Sequence, residues 1–135
     1  MKIYIAAPWA HRGDMPGISE RFEQSGHEIT WKCWTTPDIP ENADRNKELT
    51  LQAHNDMNGV IDADLLVLVN SAKSEGKSVE QGIAISNRKP IIAIGKLGAV
   101  SQNVFHYLPQ YKWVETVEDA VNAVNLLQWA VDNAS

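Results

Sequence analysis

Leu65-Leu66-Val67-Leu68-Val69 is the densest apolar run in the chain, and its reading decides the fold. It is far shorter than the roughly 20 residues that span a bilayer, and it shows no polar alternation. That pattern predicts a strand buried on both faces, as in a parallel sheet covered by helices. Upstream, residues 44–61 read as a helix with Leu49, Ala53, Met57 and Val60 as its apolar stripe. Downstream, 78–87 reads as a helix started by a Ser78/Gln81 capping box, and 90–94 as a strand ended by Gly95.

The same alternation continues outward. Ile3-Tyr4-Ile5-Ala6 is a second strand without polar alternation, and 17–25 is a helix carrying Ile18 and Phe22, closed by Gly26. Residues 27–31 alternate as an edge strand does, and a short strand near Trp113-Val114 leads into a helix over 117–131. The one long loop, 34–42, holds Pro37 and Pro40. Repeated strand–helix alternation predicts an α/β fold: a three-layer α/β/α sandwich with a doubly wound, five-stranded parallel sheet, flavodoxin-like, in one domain over 1–135. Such sheets bind ligands beyond the carboxyl ends of their strands. The search for function therefore narrows to residues 7–16, 32–44, 70–80 and 95–106, plus whatever helix faces lean over that rim.

Composition removes several classes of function. The 135 residues are 44% hydrophobic and 21% charged, which suits a globular domain and not a disordered chain. A net charge of −5 argues against a nucleic-acid polymer as partner, since such proteins need a basic footprint. The single cysteine, Cys33, makes no internal disulfide, and His11, His27, His54 and His106 show no metal-ligand spacing, so no metal is expected. No membrane segment or secretory leader is legible, and the expected location is the cytoplasm. Dinucleotide and P-loop glycine motifs are missing too, so no cofactor is implied.

Three side chains stand out. With a helix starting at Ser78, Glu80 falls in the first turn, where the dipole favours an anion by roughly 0.3–1 kcal/mol, as a nucleophilic carboxylate requires. Acidic residues are also common there for the dipole alone. Asp56 projects near the apolar stripe of its helix, where partial burial favours the protonated form of an acid; the alternative is that it flanks the stripe and reaches solvent or caps a neighbouring loop. Tyr4, inside a central strand, needs a partner for its hydroxyl and is positioned to hold Glu80, although a satisfied core tyrosine explains it as well. Trp9 suits stacking on a flat ring or plain packing. Ser71, Ser74 and the amides before Val79 suit a small anion.

Together these residues resemble the nucleoside 2-deoxyribosyltransferase family, including the related 2′-deoxynucleoside 5′-monophosphate N-hydrolases, over about residues 2–106. Ile3-Tyr4-Ile5-Ala6-Ala7-Pro8-Trp9 looks like the family's opening strand, Asn55-Asp56-Met57-Asn58-Gly59-Val60 its proton-handling motif, and Gly76-Lys77-Ser78-Val79-Glu80-Gln81-Gly82 its nucleophile motif. Asn103-Val104-Phe105 resembles a segment that reaches a neighbouring subunit's site. The resemblance implies catalysis by Glu80, Asp56 and Tyr4, and substrate contacts from Ala6, Trp9, Ser74, Gly76 and Asn103. It implies cleavage of the N-glycosidic bond of a 2′-deoxynucleoside through a glycosyl-Glu80 intermediate, with transfer to a free nucleobase, in a homodimer or larger homo-oligomer. Ser74 stands where transferases usually carry aspartate and the monophosphate hydrolases carry serine, so a deoxynucleoside 5′-monophosphate N-glycosidase is the alternative. Gln81 stands where leucine is general. A non-catalytic nucleotide-binding module is the alternative from another class.

Overall fold

The structure, a computed structural model, describes residues 1–134. Strands β1 (Lys2–Ala6), β2 (Glu28–Ile29), β3 (Leu65–Val69), β4 (Ile91–Ile94) and β5 (Tyr111–Val114) form one sheet in the order β2-β1-β3-β4-β5. Every pairing is parallel, with Ile3 opposite Leu65 and Leu66 opposite Ile91. The doubly wound expectation holds. The helices are α1 (Met15–Gln24), α2 (Arg45–Asp62), α3 (Glu75–Ser86) and α4 (Val117–Asp132). Among the described residues no helix is long and apolar enough to cross a membrane.

Strand period divides the core. Ile3, Ile5, Leu65, Val67 and Ile92 pack with Met15 and Phe22 of α1 and with Ala120, Val121 and Val124 of α4. Tyr4, Ala6, Leu66, Leu68, Ile91 and Ala93 face the other way, toward Val60 of α2 and Ala84 of α3. An even-numbered position on β1 thus puts Tyr4 under the two helices that carry Asp56 and Glu80.

Three local expectations are corrected. Helix α3 begins four residues earlier than the capping-box spacing suggests. Its N-cap is Ser74, whose Oγ accepts from the Lys77 amide at 3.3 Å. Glu80 consequently lies in the second turn, beyond the positions where the dipole acts most strongly. In α2, Leu49, Ala53 and Met57 face solvent, and the inward stripe is Glu48, Gln52, Asn55, Asp56, Gly59 and Val60. Mostly polar, that stripe lines a cleft as well as the core. Strand β2 is shorter than 27–31: the Thr30 amide still donates to the Ile3 carbonyl at 2.9 Å, but its Oγ1 donates to the Gly59 carbonyl at 2.6 Å and the Trp31 indole to Asp56 of α2.

Candidate active site

Glu80, Asp56, Ala7, Trp9, Ser74 and Gly76 meet in one cleft of about 220 Å³ at the carboxyl ends of β1 and β3, completed by Cys33, Thr36, Gln52 and Lys77. Elements far apart in sequence supply them: the turn after β1, the 33–36 segment, the inward face of α2 and the first turns of α3. The 36–40 loop walls an adjoining hollow of about 250 Å³ with Trp31, Leu51 and Asn55, sharing Thr36 and Gln52 with the cleft. The long proline-containing loop is therefore a cleft wall.

At the floor, the fully buried Tyr4 donates its hydroxyl hydrogen to Glu80 Oε2. Trp31 Nε1 donates to Asp56 Oδ1 at 3.0 Å. Each carboxylate is thus held by one aromatic donor, which limits its rotamers. Burial pushes the Glu80 pKa up to about 7, the Tyr4 hydrogen bond opposes that shift, and the Asp56 charge adds to it. Asp56 is likewise raised by burial, with the Trp31 bond acting the other way. Glu80 thus holds its proton to a higher pH than an ordinary glutamate does. Because ionised Asp56 raises Glu80, the pair gives up its last proton in that range.

Gly59 shows why these holders sit where they do. An added Cβ there would lie 2.8 Å from Trp31 Cβ and 2.8 and 2.9 Å from Tyr4 Cδ2 and Cε2. Glycine in a helix interior costs about 1 kcal/mol relative to alanine, yet here only glycine lets α2 approach both rings. Gly59→Ala is expected to destabilise by roughly 1–3 kcal/mol through overpacking and to misplace both carboxylates. Gly82→Ala, in α3 with nothing within 4 Å of its Cβ, should be neutral or stabilising. Denaturant melts of the two variants check this contrast.

The remaining candidates divide. Trp9 is 51% exposed, with the Arg12 guanidinium 4.6 Å from its ring centroid. Ser74 and Gly76 line the cleft at the start of α3. Ala6 does not: its side chain is fully buried in the core, and Ala7 forms that wall. Strand alternation turns position 6 inward. Asn103 lines a separate, smaller cavity and caps a short 3-10 turn, Oδ1 accepting from the Phe105 amide at 3.0 Å. Phe105 and Tyr107 are each 58% exposed, so packing within this chain does not account for them.

Sequence reasoning missed Cys33, Thr36, Gln52 and Lys77. Burial and the two carboxylates push the Cys33 thiol up to about 12, which leaves it protonated. Lys77 is 2% exposed and burial pushes it down to about 8. A signal for Lys77 existed: counted from Ser74, positions 77, 80, 81 and 84 share one helical face. Gln81, at the unexplained leucine position, is buried, donating to the Lys77 carbonyl at 3.1 Å and accepting from the Tyr111 hydroxyl at 2.6 Å. Among the described residues, no three histidine, cysteine or acidic side chains gather as a metal site.

No protein-family model matches the chain, and no curated protein matches it. Solved structures do. The CMP N-glycosidase BcmB of Clostridium botulinum aligns with TM-score 0.60 and 16% identity over 94% of this chain and 99% of that chain. A conserved protein from Enterococcus faecalis V583 gives TM-score 0.67 and 16% identity over 94% and 98%. A 2-deoxyribosyltransferase from Bacillus psychrosaccharolyticus gives TM-score 0.66 and 18% identity over 90% and 91%. The shared feature at these identities is the fold.

Proposed function

We propose that the protein is an N-glycosyl transferase or hydrolase of the nucleoside 2-deoxyribosyltransferase family, which opens the bond between a 2′-deoxyribosyl group and its base. The observation that carries this reading is the pair Glu80 and Asp56 in one cleft, each carboxylate fixed by its own aromatic donor. Fold likeness to a CMP N-glycosidase and a 2-deoxyribosyltransferase supports it.

In this reading Glu80 attacks C1′ as the C1′–N bond breaks, forming a glycosyl ester. The transition state has oxocarbenium character, and an anionic carboxylate stabilises the developing positive charge before bonding to it. Asp56, in its protonated form, gives its proton to the departing base. Tyr4 keeps Oε2 aimed while Oε1 reacts. The base occupies the hollow beneath the 36–40 loop, with Trp9 over the sugar side. A second base then attacks the ester to give transfer, and this is the first reading. Water in its place gives hydrolysis, and Ser74 at the cleft favours a 5′-monophosphate as the substrate of that second reading. A homo-oligomer, with Phe105 and Tyr107 at the contact, fits their exposure.

Incubation with deoxynucleosides, their 5′-monophosphates and a free acceptor base separates the readings. Chromatography should show base exchange for a transferase and free base plus sugar, or sugar phosphate, for a hydrolase. Binding without either product would favour the non-catalytic module.

Since the pair must hold one proton to serve both roles, kcat/KM should fall as pH rises through about 7, where Glu80 loses its proton. A pH–rate profile of the wild type checks the sign.

A further inference from the structure

One wall of the Glu80 cleft is built differently from the others. Gln52 and Asp56 come from α2, and Gly76, Lys77 and Glu80 from α3, two helices packed on the sheet through Val60 and Ala84. Trp9 comes instead from a short segment, Trp9–Asp14, between β1 and α1. Two 3-10 turns meet in it at His11 (φ −106°, ψ 19°), and none of its residues is buried. Pro8 before it and Met15 after it are buried. Packing therefore anchors the segment at its two ends and gives it no apolar hold on the core between them, the condition for local mobility.

Polar contacts hold it instead. The His11 amide donates to the Pro8 carbonyl at 2.9 Å and Arg12 Nη1 to the Trp9 carbonyl at 3.1 Å, bonds that shape the segment without tying it to another element. Among the described residues, the one side-chain hydrogen bond from this segment to another part of the chain joins His11 Nδ1 and Ser71 Oγ, 2.6 Å apart. A hydroxyl both donates and accepts, so the contact holds whether Nδ1 is bare or protonated. Ser71 is a fixed post. It stands two residues beyond β3, and the Asn70 amide before it continues the ladder by donating to the Ile94 carbonyl at 3.1 Å. Since β1 and β3 are neighbours, with Ala6 opposite Leu68, the contact bridges the carboxyl ends of adjacent strands at the mouth of the cleft.

We propose that His11 and Ser71 form a clasp that sets where the Trp9 ring stands over the cleft, and that both are positioning residues for substrate binding. Neither has to touch the substrate; they act through Trp9. The effect on turnover rests on the function proposed above, whereas the effect on the ring does not. An exposed hydrogen bond contributes modestly, so the clasp biases the wall toward one position without locking it.

The test follows the Trp9 indole N–H resonance by NMR, assigned by its loss in Trp9→Phe. Ser71 is exposed and His11 half-buried, so substitutions there leave the core intact. In Ser71→Ala and in His11→Leu the Trp9 signal should move and broaden while those of Trp113 and Trp129 stay in place. Ser71→Thr, which keeps the hydroxyl, should leave it at the wild-type position. In turnover, KM should rise roughly 3–10-fold in either breaking variant, with kcat changing less than KM. The double variant should be no worse than either single one, because both changes break the same contact. In a Trp9→Ala background, Ser71→Ala should add less than about twofold to KM, since the ring through which it acts is gone. A Trp9 signal unmoved by both breaking substitutions overturns the proposal. So does a Ser71→Ala effect on KM that persists without Trp9, which would make Ser71 a direct substrate contact. The resonance measurement needs no turnover: a displaced Trp9 signal in a protein without N-glycosidic activity upholds the clasp and overturns the functional reading alone.

Discussion

Glu80→Gln is expected to lose N-glycosidic turnover by roughly 10⁴-fold or more while the protein stays folded. The amide keeps the shape and still accepts from Tyr4, so what disappears is the nucleophile and its charge. The same change should alter stability in the opposite direction. The unfolded chain releases the Glu80 proton near pH 4.5, whereas the folded chain holds it to about pH 7. Between those values rising pH favours the unfolded state, and above about 7 the whole penalty applies. At about 1.4 kcal/mol per pKa unit, removing it should stabilise the variant by roughly 1–3 kcal/mol at pH 8 and not at all at pH 4. Thermal melts at the two pH values, beside a product assay, check both halves. A site that is costly to the fold and necessary to the chemistry is what a stability–activity trade-off predicts.

Asp56→Asn should lower turnover by about 10²–10⁴-fold, the usual contribution of a positioned general acid, and should invert the pH dependence. In the wild type the pair fails when its last proton leaves. Without Asp56 only Glu80 titrates, and it must be ionised to attack, so the rate should rise with pH instead of falling. The midpoint should also move below about 7, because the neighbouring charge that raises Glu80 is gone. Substrates with good leaving groups, which need little protonation, should be the least impaired. A variant profile that still falls above pH 7 would remove Asp56 from the proton path.

The fold was legible because its evidence is periodic. Leu65–Val69 and Ile3–Ala6 carry no polar residue on either face except the Tyr4 hydroxyl, and only a helix-covered parallel sheet accommodates such strands. The site was legible in part. Asp56 stands out by burial, Tyr4 by its need for a hydrogen-bond partner and Glu80 by its place near a helix start; Tyr4 bonds Glu80, which lines one cleft with Asp56. Two of them, Glu80 and Asp56, lie in surroundings that differ from the expected ones. Ser74 and Ser78 are both adequate caps four residues apart, and local sequence cannot choose between them, so the helix phase slipped by about one turn. Leu49, Ala53 and Met57 have core spacing but point outward, because the inner face of α2 borders a cleft and is polar. Amphipathic pattern assumes that the apolar side is the buried side, and a helix roofing a binding site breaks that assumption. Cys33 and Gln52 stayed hidden since their placement depends on tertiary contacts between distant segments, whereas Lys77 follows from its helical face once the helix starts at Ser74.

The central claim is a covalent bond between Glu80 and an anomeric carbon. Acid quenching during turnover of a 2′-deoxynucleoside or its monophosphate, followed by peptide mass spectrometry, tests it most directly. The peptide containing Glu80 should gain the mass of one deoxyribosyl or phosphodeoxyribosyl group, and the same peptide from Glu80→Gln should gain nothing. Sustained turnover with an unmodified Glu80 peptide, or with the sugar on another residue, would contradict the account.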